Sequence, residues 1–95
     1  MSGGESRERR VVHFRGQVQG VGFRYTAARI AGHFDVNGYV QNLPDGRVLV
    51  VAEGRAAELD RLLQRIQVEM GRYIRDANTT TGPASGEFQG FDVRY

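Results

Sequence analysis

The chain contains no cysteine and no lysine, and only two prolines and two histidines in 95 residues. Without cysteine there can be no disulfide, no thiolate–metal site and no cysteine nucleophile, which removes the cysteine-dependent phosphatase mechanisms. No apolar run approaches the about 18 residues of a membrane-spanning helix, and the opening Met1-Ser2-Gly3-Gly4-Glu5-Ser6 lacks the apolar stretch of a signal peptide. A cytoplasmic protein without membrane contacts is therefore expected. Two histidines and the absence of a carboxylate cluster at ligand spacing give no metal signature. Every one of the 13 basic residues is arginine, yet the formal charge is only +2 and acidic residues are interspersed throughout. No nucleic-acid partner is inferred from that balance, although a net positive charge favours encounters with anionic ligands.

What remains is the composition of one small soluble domain, 40% hydrophobic. Residues 1–9 are small, polar and aperiodic and read as a flexible leader; residues 10–95 read as a single domain. Residues 10–15 alternate, with Val12 and Phe14 on one face of a first strand. Phe23, Ala27, Ile30, Ala31 and Phe34 then mark one stripe of a helix over 23–33. Residues 36–43 form a second strand, Leu43-Pro44-Asp45-Gly46 a hairpin turn, and 47–53 a third strand apolar on both faces. Leu59, Leu62, Leu63, Ile66 and Met70 define a second helix over 56–70, with Gly71 placed to cap it. A Thr-rich fourth strand over 73–81 looks ragged, residues 82–86 are a loop, and Phe91, Val93 and Tyr95 alternate in a short final strand. The order β-α-β-β-α-β plus a terminal strand predicts an α+β fold, a ferredoxin-like split β-α-β sandwich. Its antiparallel sheet has four to five strands and carries both helices on one face.

The stretch Gly16-Gln17-Val18-Gln19-Gly20-Val21-Gly22-Phe23-Arg24 stands between the first strand and the first helix. Three glycines in seven residues let the backbone turn its N–H groups outward, and the helix N-terminus adds further free donors, so the loop can cradle an anion. Arg24 falls in the first helical turn, where a cation opposes the helix dipole at a cost of roughly 0.3–1 kcal/mol. A phosphate held bidentately by the guanidinium would account for it there. By these residues alone a tight turn and a solvent-facing arginine fit equally well. The spacing is neither that of a Walker A loop nor that of a dinucleotide-binding glycine motif, so nucleotide binding is not indicated.

In the expected topology the first two strands run the same way with the third between them. The loop after the first strand and the end of the second then share one edge of the sheet, and parity puts Asn42 on the helix side with Val40. Arg24 and Asn42 can so face one site, although an asparagine before Pro-Asp-Gly is, judged locally, a turn residue.

The two segments Gly16-x-Val18-Gln19-Gly20-Val21-Gly22-Phe23-Arg24 and Gly38-Tyr39-Val40-x-Asn42-x-x-Asp45-Gly46-x-Val48 resemble the paired signatures of the acylphosphatase family, in register and at the family's separation. The likeness extends from about Val11 to Tyr95. It implies a small cofactor-free, metal-free enzyme that hydrolyses the carboxyl–phosphate bond of small-molecule acyl phosphates, releasing inorganic phosphate; a monomer is expected, although nothing in the sequence speaks to oligomeric state. The substrate-binding cradle would be the backbone of Gly16, Gln17, Val18, Gln19, Gly20, Val21 and Gly22, the phosphate-binding arginine Arg24, and the water-positioning residue Asn42. Members often carry Gly-Pro after the second helix, where this chain has Gly71-Arg72, and usually contain lysine; neither departure touches the motifs. Two alternatives accompany this reading. One is the acylphosphatase-like domain at the front of hydrogenase-maturation carbamoyltransferases. The other is a ferredoxin-like RNA-binding module, disfavoured because Val48, Leu49, Val50, Val51 and Ala52 offer no stacking aromatic on the third strand.

Overall fold

The computed structural model describes residues 6–95. Eight elements follow one another: β1 (Arg7–Gly16), α1 (Phe23–Ala31), β2 (Val36–Asn42), β3 (Val48–Arg55), α2 (Ala56–Met70), a 3-10 turn (Gly71–Tyr73), β4 (Ile74–Pro83) and β5 (Phe91–Arg94). The sheet order is β4-β1-β3-β2-β5. Apolar residues at alternate positions, Val12 and Phe14, Val36 and Val40, Val48, Val50 and Ala52, line one face of the sheet. Against it pack Phe23, Ala27, Ile30 and Ala31 of α1 and Leu59, Leu62, Ile66 and Met70 of α2. Leu59, Leu62 and Ile66 are fully excluded from solvent, a burial worth about 1.5–3 kcal/mol for each side chain. Among the described residues no helix is long and apolar enough to cross a membrane.

Several boundaries and one pairing differ from expectation. Of the leader expected over 1–9, residues 1–5 lie outside the described residues, whereas Arg7, Glu8 and Arg9 belong to β1 and pair with Arg55, Gly54 and Glu53. A polar start is compatible with a strand because Arg9 meets a buried partner, Glu53, at 2.8 Å. The sheet is mixed rather than wholly antiparallel, since β2 and β5 run parallel. The chain leaves β4 at one edge, crosses the sheet over residues 84–90 and returns along the opposite edge, a route that fixes the direction of β5. β4 is ten residues long, with an irregularity confined to its start, and it incorporates Gly82 and Pro83; it is solvated on both faces, so burial imposes no alternation on its sequence, and a proline is tolerated at a sheet edge. Gly71 does not end α2 in a left-handed cap: its φ of −57° is right-handed and continues into the 3-10 turn. A Cβ there would meet only the movable Gln67 amide, at 2.8 Å, so neither backbone conformation nor backbone crowding requires a glycine at this position.

Candidate active site

β1 ends where it must change course. Gly16 has φ 134°, and a Cβ on it would lie 2.2 Å from the Tyr73 carbonyl oxygen and 2.8 Å from the Arg75 nitrogen, so only glycine lets β1 press against the start of β4 here. The β1–β4 register also slips at this point, from Arg15 opposite Asp76 to Gly16 opposite Ile74, leaving Arg75 as a bulge. The Gln17 N–H donates to the Tyr73 carbonyl at 3.0 Å, which commits it to the fold and leaves it unavailable to a ligand. Val18 is fully buried and anchors the loop to the core. Beyond it, Gly20 and Gly22 take left-handed φ values of 81° and 77°.

The consequence is a run of unused donors. Among the described residues, none of the backbone N–H groups from Val18 to Gly22 donates to a protein acceptor. α1 begins directly after them with no side-chain cap and no acidic residue in its first turn, so the N-terminal donors of the helix and the positive end of its dipole are also unopposed. A loop and a helix end so arranged present several N–H groups to one anion.

The loop is held against the β2–β3 hairpin by a side chain. Gln19 spends both of its amide hydrogens there, donating to the Leu43 carbonyl at 2.8 Å and the Arg47 carbonyl at 2.9 Å. The middle of the loop is thus one hydrogen bond from the residue after Asn42. Asn42 lies at the last position of β2, and its Oδ1 is buried without a hydrogen-bond partner among the described residues. A buried acceptor left unbonded costs roughly 1–3 kcal/mol, so its retention calls for a reason outside the fold.

Arg24 reaches the same end of the sheet by a longer route. Its Nη1 donates to the Arg94 carbonyl at 3.1 Å, and Arg94 stands opposite Gln41 in the β2–β5 ladder. The guanidinium carbon lies 4.7 Å from the centre of the Tyr95 ring, a cation–π distance. Tyr95 is in turn hydrogen-bonded through its hydroxyl to Tyr25. One edge of the Arg24 fork, Nε and Nη2, keeps its donors free of partners among the described residues. Arg24, Asn42 and the 16–22 loop therefore meet at one end of the sheet, as the expected topology required.

The side-chain work of Gln19 and the contacts of Arg24 with Arg94 and Tyr95 were not legible in the sequence. Gln19 could be seen only as part of a motif. The Arg24–Arg94 contact spans 70 residues and depends on the parallel return of β5, which no local pattern announces.

The acylphosphatase family model matches residues 10–93. The chain belongs to the acylphosphatase family. It is 40% identical over 86 residues to an acylphosphatase of Yersinia pseudotuberculosis serotype O:1b (strain IP 31758), covering 90% of this chain and 94% of that protein. The crystal structure of acylphosphatase from Bacillus subtilis superposes with a TM-score of 0.80 at 28% identity, covering 94% of this chain and 99% of that one. Full-length HypF in its phosphate- and nucleotide-bound form shares the fold, with a TM-score of 0.82 at 21% identity, but this chain covers only 12% of it. The match is thus to the compact acylphosphatases along nearly their whole length, and the reading as a domain of a large carbamoyltransferase is not favoured.

Proposed function

We propose that the protein hydrolyses acyl phosphates by in-line attack of water, with the phosphoryl group held by Arg24 and the free backbone donors from Val18 to Gly22. The new bond forms between water oxygen and phosphorus. The bond between phosphorus and the acyl oxygen breaks, and its electron pair leaves with the carboxylate. A carboxylate is a good leaving group, so catalysis needs orientation and stabilisation of the equatorial oxygens more than an acid. Asn42 orients the water through Oδ1. Neither arginine nor asparagine is a base at neutral pH, and the proton passes to an oxygen of the phosphoryl group itself. No cofactor and no metal take part in these steps, and the protein acts as a monomer in the cytoplasm.

The observation that carries this reading is the buried, unbonded Oδ1 of Asn42 beside a loop whose N–H groups are equally unbonded. An acceptor for a water hydrogen and donors for an anion lie within one side chain's reach of each other. The free Nε and Nη2 of Arg24 supply the planar fork that matches phosphate oxygens, which a lysine would not. The test is turnover of acetyl phosphate against an ordinary phosphate monoester in the same buffer. Release of phosphate from acetyl phosphate alone is expected; equal rates on both, or no release from either, would overturn the proposal.

A further inference from the structure

A cavity of about 270 Å³ opens beside the phosphate loop, lined by Arg15, Gly16, Gln17, Asp45, Gly46, Arg47 and Arg75. It shares Gly16 and Gln17 with the loop. Its opposite wall is the hairpin that Gln19 binds, through the Arg47 carbonyl at 2.9 Å. The cavity thus borders the loop at its Gly16–Gln17 end. The volume lies just under the roughly 300–1,000 Å³ of pockets for drug-sized ligands, which suits a short chain.

Its charge is one-sided. Of the three guanidinium groups, only Arg47 is neutralised: its Nε donates to Asp45 at 2.8 Å and its backbone N–H to the same carboxylate at 3.1 Å. Arg15 and Arg75 have neither an ion pair nor a hydrogen-bond partner among the described residues. Asp76 stands opposite Arg15 in the β1–β4 ladder without pairing with it. Both side chains are exposed on adjacent strands and neither packs into the core. Arg75 is moreover the bulged residue of β4, and bulges characteristically re-aim a side chain beside a site. The bulge is imposed by the close approach at Gly16. The same backbone feature that starts the phosphate loop thus turns Arg75 into the cavity wall.

We propose that this cavity is the subsite for the acyl group, and that it selects acyl phosphates bearing a second anionic group on a short acyl chain. Arg15 and Arg75 bind that group while the phosphoryl end occupies the loop. The assignment rests on the acyl phosphate reading above, so it is tested both with turnover and without it. In the turnover arm, kcat/KM is measured for succinyl phosphate and for acetyl phosphate, and the ratio is compared between the wild type, Arg75→Gln and the double variant Arg15→Gln/Arg75→Gln. Both side chains are exposed, and folding is checked by circular dichroism. A preference for succinyl phosphate of about tenfold is expected, the scale of two partly exposed charge contacts. It should shrink in Arg75→Gln, approach unity in the double variant, and fall with added salt.

In the binding arm, calorimetry compares pentylphosphonate with 5-phosphonopentanoate and with the pentane bisphosphonate, which cannot be hydrolysed and differ only in the charge and kind of the tail. Tighter binding of either charged tail, lost in the double variant, supports the subsite, and the stronger of the two tells carboxylate from phosphate. If acetyl phosphate is not turned over but the charged tails still bind tighter, the hydrolase reading fails and the subsite stands. A succinyl-to-acetyl ratio near unity in the wild type, a preference retained in the double variant, or equal binding of the three phosphonates would overturn the proposal.

Discussion

Replacing Glu53 by glutamine should cost about 3 kcal/mol of stability at pH 7, and the cost should vanish in acid. Glu53 is 2% exposed, the sole charged residue so buried among those described. Its Oε2 accepts from Arg9 Nε at 2.8 Å and from the Ser85 N–H and hydroxyl at 2.9 Å each, and Oε1 accepts from the Gly86 N–H at 2.9 Å. Burial by itself pushes the carboxyl pKa up, but these donors outweigh it and bring the value from 4.5 down to about 2. Each pH unit of displacement is worth about 1.4 kcal/mol, so the ionised group contributes roughly 3 kcal/mol to folding. A glutamine must turn an NH2 toward one set of donors, losing at least one hydrogen bond and adding a repulsive contact. The folded-state pKa is depressed. The contribution is therefore complete above the unfolded value near 4.5 and is lost as pH falls through the folded value near 2. Urea unfolding of the two proteins at a series of pH values measures the difference directly. A gap near 3 kcal/mol at pH 7 that closes between pH 4.5 and 2 is expected; a gap that is absent at pH 7, or constant across the series, would refute the reasoning. Because Glu53 anchors residues 84–90, which deliver β5 and the Arg94 carbonyl to Arg24, the variant should also bind phosphate more weakly.

Three further outcomes are expected. Inorganic phosphate should raise the melting temperature of the wild type but scarcely that of Arg24→Ala, and Arg24→Lys, which keeps the charge and loses the fork, should still lose about 10²–10³ in turnover; equal phosphate-induced shifts in wild type and Arg24→Ala would remove Arg24 from the anion site. Among the described residues no group of three His, Cys, Asp or Glu side chains is placed to hold a metal ion, so turnover should persist in EDTA, and loss restored by a divalent cation would contradict the mechanism. Gly16→Ala should destabilise the protein by about 2 kcal/mol or more in denaturant unfolding, because its φ of 134° and the carbonyl 2.2 Å from a new Cβ leave no room to relax; a neutral substitution would mean that the β4 bulge is not imposed there.

How much of this was legible in the sequence follows from where each feature gets its energy. α2 was read to the residue because Leu59, Leu62, Ile66 and Met70 are all core contacts and a 3.6-residue period reports that burial. β4 was blurred for the converse reason: exposed on both faces, it is held by its ladder with β1, which leaves no hydrophobic period. The meeting of the 16–22 loop with Asn42 was legible, since it needs only the order of β1, β3 and β2. The direction of β5, and with it the hold of Arg94 and Tyr95 on Arg24, was not, because it depends on a crossing fixed by Glu53 and the 84–90 segment. Glu53 closes the expected third strand, and nothing in its neighbours marks it as buried. Its partners Ser85 and Gly86 lie 32 and 33 residues away, beyond the reach of any local pattern.

The central claim is that Asn42 places the water while Arg24 and the loop hold the phosphoryl group. Single-turnover hydrolysis of acetyl phosphate by Asn42→Ala, paired with calorimetric binding of inorganic phosphate to the same variant, tests it most directly. Removing the buried Oδ1 should lower kcat by about 10²-fold or more while phosphate affinity stays within about twofold of the wild type, since the amide orients the nucleophile and not the anion. An unchanged kcat, or a loss of phosphate binding in step with the loss of turnover, would contradict it.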